Sequence, residues 1–477
     1  MVTRLTPLIL IWLLAGCQVA REAGRQSSPP IGNVSSRDRG FPTPRRLPRL
    51  PTPSVHLAAF IEPVDPLPLV ETDALPIPLH EAESEFTLQQ LEQLAMASNP
   101  SLAEARARVV ALRGKWVQVG LLPNTVVGYS GQQLGSGGEA EQQGLLVTQE
   151  FVRGGKPHLD RAVVSREIQK AEQWWSVQQQ RVLTDVRLAF YEVLVAQRRN
   201  ETADQLVQIA QQAVDTAEAL LQAKEVSQVD VMRARIELQT AQLILKNVRN
   251  LHTAVWSRLR AVIGVQDMQP QPLSGDVERA IDEIDADVVL ARLINDSPEM
   301  TAALSEVERA RWAVRRAYAE SVPNVDVEAI VQSDNGTGGS NANLQISLPI
   351  PWRNRNQGGI RQAQAEAVAA ERAVDRLKLS FQHRLASVYL RYANARNQVT
   401  DYSKEDGILA NSKATLELVR KGYEAGESSY LDLITVQRTF SQTNLDYLEA
   451  LGEFWAAVVE IEGLLLKDSL DSGLSRS

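Results

Sequence analysis

Cysteine, aromatic rings and surplus positive charge are all scarce in this chain, and each shortage removes a class of function. Its 477 residues include a single cysteine, Cys17, so the chain has no internal disulfide and no paired thiols. The five histidines (His56, His80, His158, His252 and His383) are scattered with no two at ligand spacing, and five dispersed methionines give no soft-metal relay. Lys and Arg number 50 against 58 Asp and Glu, a net charge of −8. No basic stripe follows a predicted helix, which argues against nucleic acid as a partner. The short run Pro44-Arg45-Arg46-Leu47-Pro48-Arg49 reads as solvated linker. Phosphate and dinucleotide loops are missing too. Arg153-Gly154-Gly155-Lys156 sits between a strand and a helix, but Glu150 replaces the first loop glycine and Pro157 the Ser or Thr after lysine. Gly135-Ser136-Gly137 lacks a third glycine. No enzyme, no cofactor and no metal site is expected.

What is present is long, regular helix. Between Pro157 and Ala223 no further proline and no glycine intervenes. Val182, Val186, Ala189, Phe190, Val193 and Leu194, then Leu206, Ile209, Ala213, Ala217 and Leu220, keep helical spacing. At about 1.5 Å per residue this helix would run about 100 Å, far beyond a single globular core. A second such stretch, Gly359–Ala425, is interrupted only by Gly407 and Gly422. Two very long helices suggest a rod or tube rather than a pocket.

The N-terminal region has another character. Met1–Leu14 carries one early charge, Arg4, and then a run of apolar residues too short to span a bilayer. Leu14-Ala15-Gly16-Cys17 follows, the order of a secretory signal with small residues at the cut. This block resembles the bacterial lipobox, which implies diacylation of Cys17, and Gln18 after it resembles the sorting pattern for the outer membrane. The alternative is an ordinary signal peptide with an incidental cysteine. Residues 1–16 are therefore read as signal peptide. Residues 17–85, dense in Pro, Arg and Ser, are read as an extended tether.

The remainder reads as two copies of one plan at an offset of about 200 residues. Asn99-Pro100-Ser101-Leu102 matches Ser297-Pro298-Glu299-Met300, each opening a helix, and these helices end at Leu122-Pro123-Asn124 and Val322-Pro323-Asn324. A β-hairpin, the long helix, a turn and a return helix follow in each copy, the return helices covering about Gln228–Ile263 and Tyr430–Leu466. The boundaries are 86–265 for the first repeat, 266–287 for a linker and 288–466 for the second repeat. Residues 467–477 are read as a disordered tail.

The hairpins carry the second strong signal. Val325, Val327, Ala329 and Val331 alternate with polar residues, Ile330 being the exception, and Leu344, Ile346, Leu348 and Ile350 do the same. In the first copy Leu145, Val147 and Phe151 keep an apolar face, while Asn124–Leu134 barely alternates. Strands of about ten residues suit a tilted bilayer crossing. Two hairpins make four strands, which cannot close, and open edges in hydrocarbon cost several kcal/mol per unpaired group. Several chains must then pool their strands: two would give eight and three would give twelve, both even numbers that suit a barrel. The alternative is a pair of small soluble sheets at the end of a helical bundle.

Lipobox, tether, duplicated helix–hairpin–long helix–helix and paired turns together resemble the TolC family of outer-membrane efflux factors. The resemblance covers roughly Phe86–Leu466. Its sharpest matches are Leu348-Pro349-Ile350-Pro351-Trp352-Arg353-Asn354-Arg355-Asn356-Gln357-Gly358-Gly359 and Gly426-Glu427-Ser428-Ser429-Tyr430-Leu431-Asp432-Leu433. The Arg-Asn-Gln-Gly-Gly joint looks most like the branch serving cobalt–zinc–cadmium or copper export. The resemblance implies a mainly α fold with β hairpins, in which a homotrimer builds a twelve-stranded outer-membrane barrel on a periplasmic α-helical tube. It implies a passive export duct for small molecules or metal ions, lipid-anchored in the bacterial outer membrane, docked to a periplasmic adaptor and driven by an inner-membrane pump. The alternatives are the exit duct of a type I protein secretion system and a lipid-anchored periplasmic coiled-coil scaffold.

Two groups of residues are singled out. Ser227-Gln228-Val229-Asp230 and Ser429-Tyr430-Leu431-Asp432 fit the S-x-x-D capping box, and Gly426 suits a left-handed helix end. Lys224 stands at the position of Gly426 in the first copy. By the resemblance these turns are the periplasmic mouth that touches the adaptor, and six acids in a trimer would favour cations. The second group is the strand-to-helix joint Trp352, Arg353, Asn354, Arg355, Asn356 and Gly358. It is read as a polar turn at the membrane edge, with Trp352 and Phe151 as interfacial aromatics. Trp174 and Trp175 are expected to pack between helices.

Overall fold

The computed structural model describes residues 85–134, 140–279 and 281–471. The signal and tether assignments, Cys17 included, lie outside the described residues. Two short helices lead each copy rather than one. Helix α1, Leu88–Ser98, starts at Thr87, whose hydroxyl accepts from the Gln90 amide. Helix α2, Pro100–Gln118, follows Asn99, whose side chain accepts from the Ser101 amide at 2.9 Å and donates to the Val262 carbonyl at 2.6 Å. In the second copy α5, Ala286–Asp296, and α6, Pro298–Ala319, repeat the arrangement, with Asp285 and Ser297 as caps.

Helix α3, Lys156–Gln222, is one element of 67 residues, about 100 Å of continuous ladder. It returns as α4, Gln228–Ile263, which stops at Gly264 in the left-handed region (φ 87°). The expected second long helix is instead two, α7 (Gln357–Ser403) and α8 (Ile408–Glu424). Only one of its two glycines breaks it. A Cβ on Gly407 would lie 2.8 Å from three carbonyl oxygens, those of Asp401, Tyr402 and Lys404, so this turn admits no side chain there. Gly422 stays inside α8, and its bare Cα makes room for the Ser428 hydroxyl. Helix α9, Tyr430–Glu462, ends four residues before the expected Leu466. The chain then turns through left-handed Leu464, Leu465 and Asp468. The start of the supposed disordered tail is in fact pinned. Asp185 on α3 accepts from the amides of Asp468 (3.0 Å) and Ser469 (2.6 Å), and Gln178 donates to the Ser469 carbonyl.

Four strands, β1 (Val126–Leu134), β2 (Ala140–Phe151), β3 (Val325–Asp334) and β4 (Gly339–Ser347), form one antiparallel sheet in that order. The two hairpins are thus joined, β2 pairing with β3 from Gln142↔Asp334 to Phe151↔Val325. Cross-strand partners share a face. The register aligns Val127, Val147, Ala329 and Leu344 in one row and Tyr129, Leu145, Val331 and Ala342 in the next, a continuous apolar face. That face is bare: Tyr129 is 68% exposed and Leu344 70%. The opposite face holds Thr148, Glu328 and Gln345, then Ser130, Gly144, Gln332 and Asn341. Ile330, the exception to alternation, sits on this polar face beside Leu146, which gives it an apolar neighbour. The irregular first strand is held by β2 along its length. Gly144 allows the close approach to β3, since a Cβ there would fall 2.2 Å from the Val331 carbonyl oxygen.

The main core joins α3, α7, α9 and the short helices. Trp455 is its centre, 1% exposed, stacked on Tyr191 at 4.0 Å between ring centroids and donating from Nε1 to the Val277 carbonyl at 2.7 Å. Arg279 lies over the Trp455 ring at 4.8 Å and donates to the Tyr191 hydroxyl at 3.0 Å. The linker between the copies is thereby fastened to the core, with Met268, Leu273 and Val277 buried. Trp174 packs against the same cluster, as expected. Among the described residues no helix is long and apolar enough to cross a membrane. Truncating Trp455 to Ala should cost about 3–5 kcal/mol. The check is a thermal melt, in which Trp455→Ala unfolds at a clearly lower temperature than the same truncation of exposed Trp352.

Candidate functional site

The two helix reversals are built alike. At the first, the Ser227 hydroxyl accepts from the Asp230 amide, and the Ser227 amide and hydroxyl donate to Asp230 Oδ2 at 3.1 and 2.7 Å. At the second, Ser429 and Asp432 make the same three bonds, at 3.2, 3.2 and 2.6 Å. Both are complete capping boxes. Gly426 has φ 75°, as its position requires, and Lys224 adopts the same left-handed conformation (φ 62°) despite its side chain. The Ser227 hydroxyl holds the Asp230 carboxyl below the usual carboxylate range, helped by the Ser227 amide and by Arg233 at 3.7 Å.

The reversals are also brought together. Val214 and Ala217 of α3, Val231 and Ala234 of α4, Leu416 of α8 and Leu433 of α9 share one buried cluster. Arg438 on α9 pairs with Glu237 on α4, bridging the hairpins. Sequence reasoning missed Tyr423 and Tyr430, which flank the second turn, are buried, and lie with ring centroids 5.8 Å apart. Neither hydroxyl has a hydrogen-bond partner among the described residues. Burial pushes the Tyr430 phenol up, and the charge of Glu237 pushes it further. Their signal in the sequence was two tyrosines close to the turn, Tyr423 three residues before Gly426 and Tyr430 one residue after Ser429.

The strand-to-helix joints form the second group. Trp352 is 77% exposed, with the Arg353 guanidinium 5.8 Å from its ring. Arg355 Nε donates to the Pro351 carbonyl and Asn354 Oδ1 accepts from the Asn356 amide, so the turn is tied by its own side chains. Asn356 caps α7 in the left-handed region (φ 58°) and donates to the Ala317 carbonyl at 2.8 Å. Gly358 follows in the first turn of α7 with open space around it. In the first copy the failed phosphate loop turns through left-handed Gly154 and Gly155 to a buried lysine. Lys156 Nζ donates to Asn324 Oδ1 at 3.0 Å and lies 3.8 Å from Glu320, while Asn324 Nδ2 donates to Glu150 at 2.6 Å. Both joints border one open cavity of about 730 Å³, whose lining includes Glu150, Lys156, Asn324, Asp326, Trp352 and Arg353.

The family profile for outer membrane efflux protein matches residues 91–265 and 289–465. The chain belongs to that family. It is 24% identical over 396 residues, 83% of this chain and 93% of the relative, to the cobalt-zinc-cadmium resistance protein CzcC of Cupriavidus metallidurans. Among solved structures, a membrane protein from Pseudomonas aeruginosa aligns with TM-score 0.68 at 17% identity, covering 79% of this chain and 92% of that one. The outer membrane protein VceC of Vibrio cholerae aligns with TM-score 0.64 at 16% identity, covering 79% and 95%. The fold is that of TolC-like channels, and the protein is an outer-membrane efflux channel component extending into the periplasm. The family's members are channels rather than enzymes.

Replacing a capping serine by alanine costs about 1 kcal/mol. Ser227→Ala and Ser429→Ala should each speed amide exchange in the first turn of α4 or α9 and leave α3 protected. Asp230 is depressed in the folded chain, so its stabilising bonds hold above the ordinary carboxylate range and are lost as pH falls through the folded value. Acidification below about pH 4 should therefore loosen the first reversal. Carboxylate NMR titration of wild type and Ser227→Ala checks this, the variant titrating nearer the ordinary value.

Proposed function

We propose that three copies of the chain close their sheets into a twelve-stranded barrel in the outer membrane, standing on a tube of paired helices. The observation that carries this is a four-stranded sheet with one bare apolar face, one polar face and an unpaired outer edge on each of β1 and β4. Strands of 9 to 12 residues match a tilted crossing. β1 and β4 run in opposite directions, so β4 of one copy can meet β1 of the next as another antiparallel pair. A head-to-tail ring of this kind closes without edges. The family resemblance selects three copies over two.

In this reading the duct is passive. Ser227, Asp230, Gly426, Ser429 and Asp432 form the periplasmic mouth and contact an adaptor, and an inner-membrane pump supplies the energy. Trp352, Arg353, Asn354, Arg355, Asn356 and Gly358 mark the edge of the membrane, and a lipid on Cys17 adds an anchor. The exported class is small molecules or metal ions, in keeping with the name of the Cupriavidus relative.

Membrane-extracted protein run unboiled and boiled on a semi-native gel should show a heat-labile trimer, and in a planar bilayer it should give discrete conductance steps. A monomer freed by carbonate, with no conductance, would refute the barrel. Asp230→Ala combined with Asp432→Ala should change conductance or metal tolerance. No change in either would remove the mouth from a gating role.

A further inference from the structure

A second open cavity, of about 430 Å³, lies among the long helices, walled by α3, α7, the end of α9 and residues 465–468 of the turn that follows it. Basic side chains dominate its lining. Arg181 comes from α3, Arg384 and Arg391 from α7 and Lys467 from the turn, against two acids, Glu460 and Asp468. Glu460 is committed on both oxygens. It is 6% exposed and takes Arg391 on Oε2 and Lys467 on Oε1, the latter at 3.2 Å. Arg384 pairs at 2.9 Å with Glu299 of α6, which is not on the lining, and its Nε is buried without an acceptor.

Arg181 has no such partner. It is half-buried, its Nε is buried without an acceptor, and among the described residues its guanidinium makes no ion pair and no hydrogen bond. A guanidinium does not give up its proton, so a charge held partly out of water without a counter-charge is costly. The nearest candidate along the helix is Asp185, one turn on. Both of its oxygens are spent on the turn after α9, accepting from the amides of Asp468 and Ser469. That turn holds left-handed Leu464, Leu465 and Asp468, a backbone shape that is costly for residues with side chains and is found where segments clamp a ligand. The acid that could neutralise Arg181 thus fixes the wall of the cavity instead.

We propose that this cavity binds a small oxyanion of the phosphate type, held by the guanidinium of Arg181 with Arg384 and Lys467 around it. The bound anion ties α3 to α7 and to the turn after α9. Guanidinium groups offer paired N–H donors that match two oxygens of such an anion, and charge-assisted bonds of this kind are strong. Asp468, on the same lining, opposes the anion, so neutralising it tightens binding. The site is built within one chain and does not depend on the barrel reading.

The test is thermal unfolding of the full-length, detergent-solubilised protein, followed by tryptophan fluorescence, as millimolar sodium phosphate replaces sodium chloride at constant ionic strength. Wild type should melt a few degrees higher, with a rise that saturates as a binding isotherm does. R181Q removes an unpaired group, so it should melt no lower than wild type in chloride, and it should lose the rise. D468N should keep the rise and reach it at lower phosphate. A wild type indifferent to phosphate, or R181Q with the full rise, would overturn the site. So would R181Q and D468N each melting lower in chloride by the same, non-additive amount, since Arg181 would then have Asp468 as its partner in solution. R181Q alone melting well below wild type in chloride would likewise overturn the proposal, because a carboxylate of another copy would then fill the place of the free anion.

Discussion

A backbone N–H or C=O in hydrocarbon must find its partner within protein, because no water is there to supply one. Every inner strand pairing of this sheet meets that demand, and the outer edges of β1 and β4 do not. Much else depends on this single requirement. With the sheet in the outer membrane, as proposed above, it makes the isolated chain incomplete as a membrane element, demands copies of itself as neighbours, and fixes which face of the sheet must look outward. The row Val127, Val147, Ala329 and Leu344 has a destination only if the edges are closed.

The helical part obeys a different economy. Its helices satisfy their own backbones, so the question is what fixes their lateral arrangement. The core around Trp455 and Tyr191 supplies most of the apolar contact, and Arg279 and the Val277 carbonyl hold the linker against it. Polar ties add direction rather than bulk. Arg187 meets Glu92, Arg316 meets Asp160, and Arg438 meets Glu237, each joining elements far apart in sequence. Half-exposed pairs of this kind contribute little stability singly, but they penalise a slip of one helix along another.

Local rules made much of this legible beforehand. The uninterrupted α3 follows from 66 residues without glycine or internal proline, and the S-x-x-D turns follow from capping chemistry alone. What escaped was non-local. Gly407 and Gly422 are the same residue, yet one sits in the turn between α7 and α8, where a Cβ would meet three carbonyl oxygens, and the other stays inside α8 and faces a serine across the next turn. Lys156 reads as a surface residue until Asn324, 168 positions away, is brought to its ammonium group. The pairing of β2 with β3 likewise joins segments far apart, where period-two alternation gives no register. Tyr423 and Tyr430 were visible as residues, but their burial depends on α3 and α4 packing beside them.

The break between α7 and α8 makes the two copies mechanically unequal. Helix α3 is a continuous ladder from the sheet to the first reversal, so bending it anywhere distorts hydrogen bonds along its length. In the second copy the ladder is interrupted between Ser403 and Ile408. Compliance is concentrated there. One hairpin of each chain is therefore a stiff post and the other a jointed arm, and a force applied at the far end would swing the arm before it bent the post.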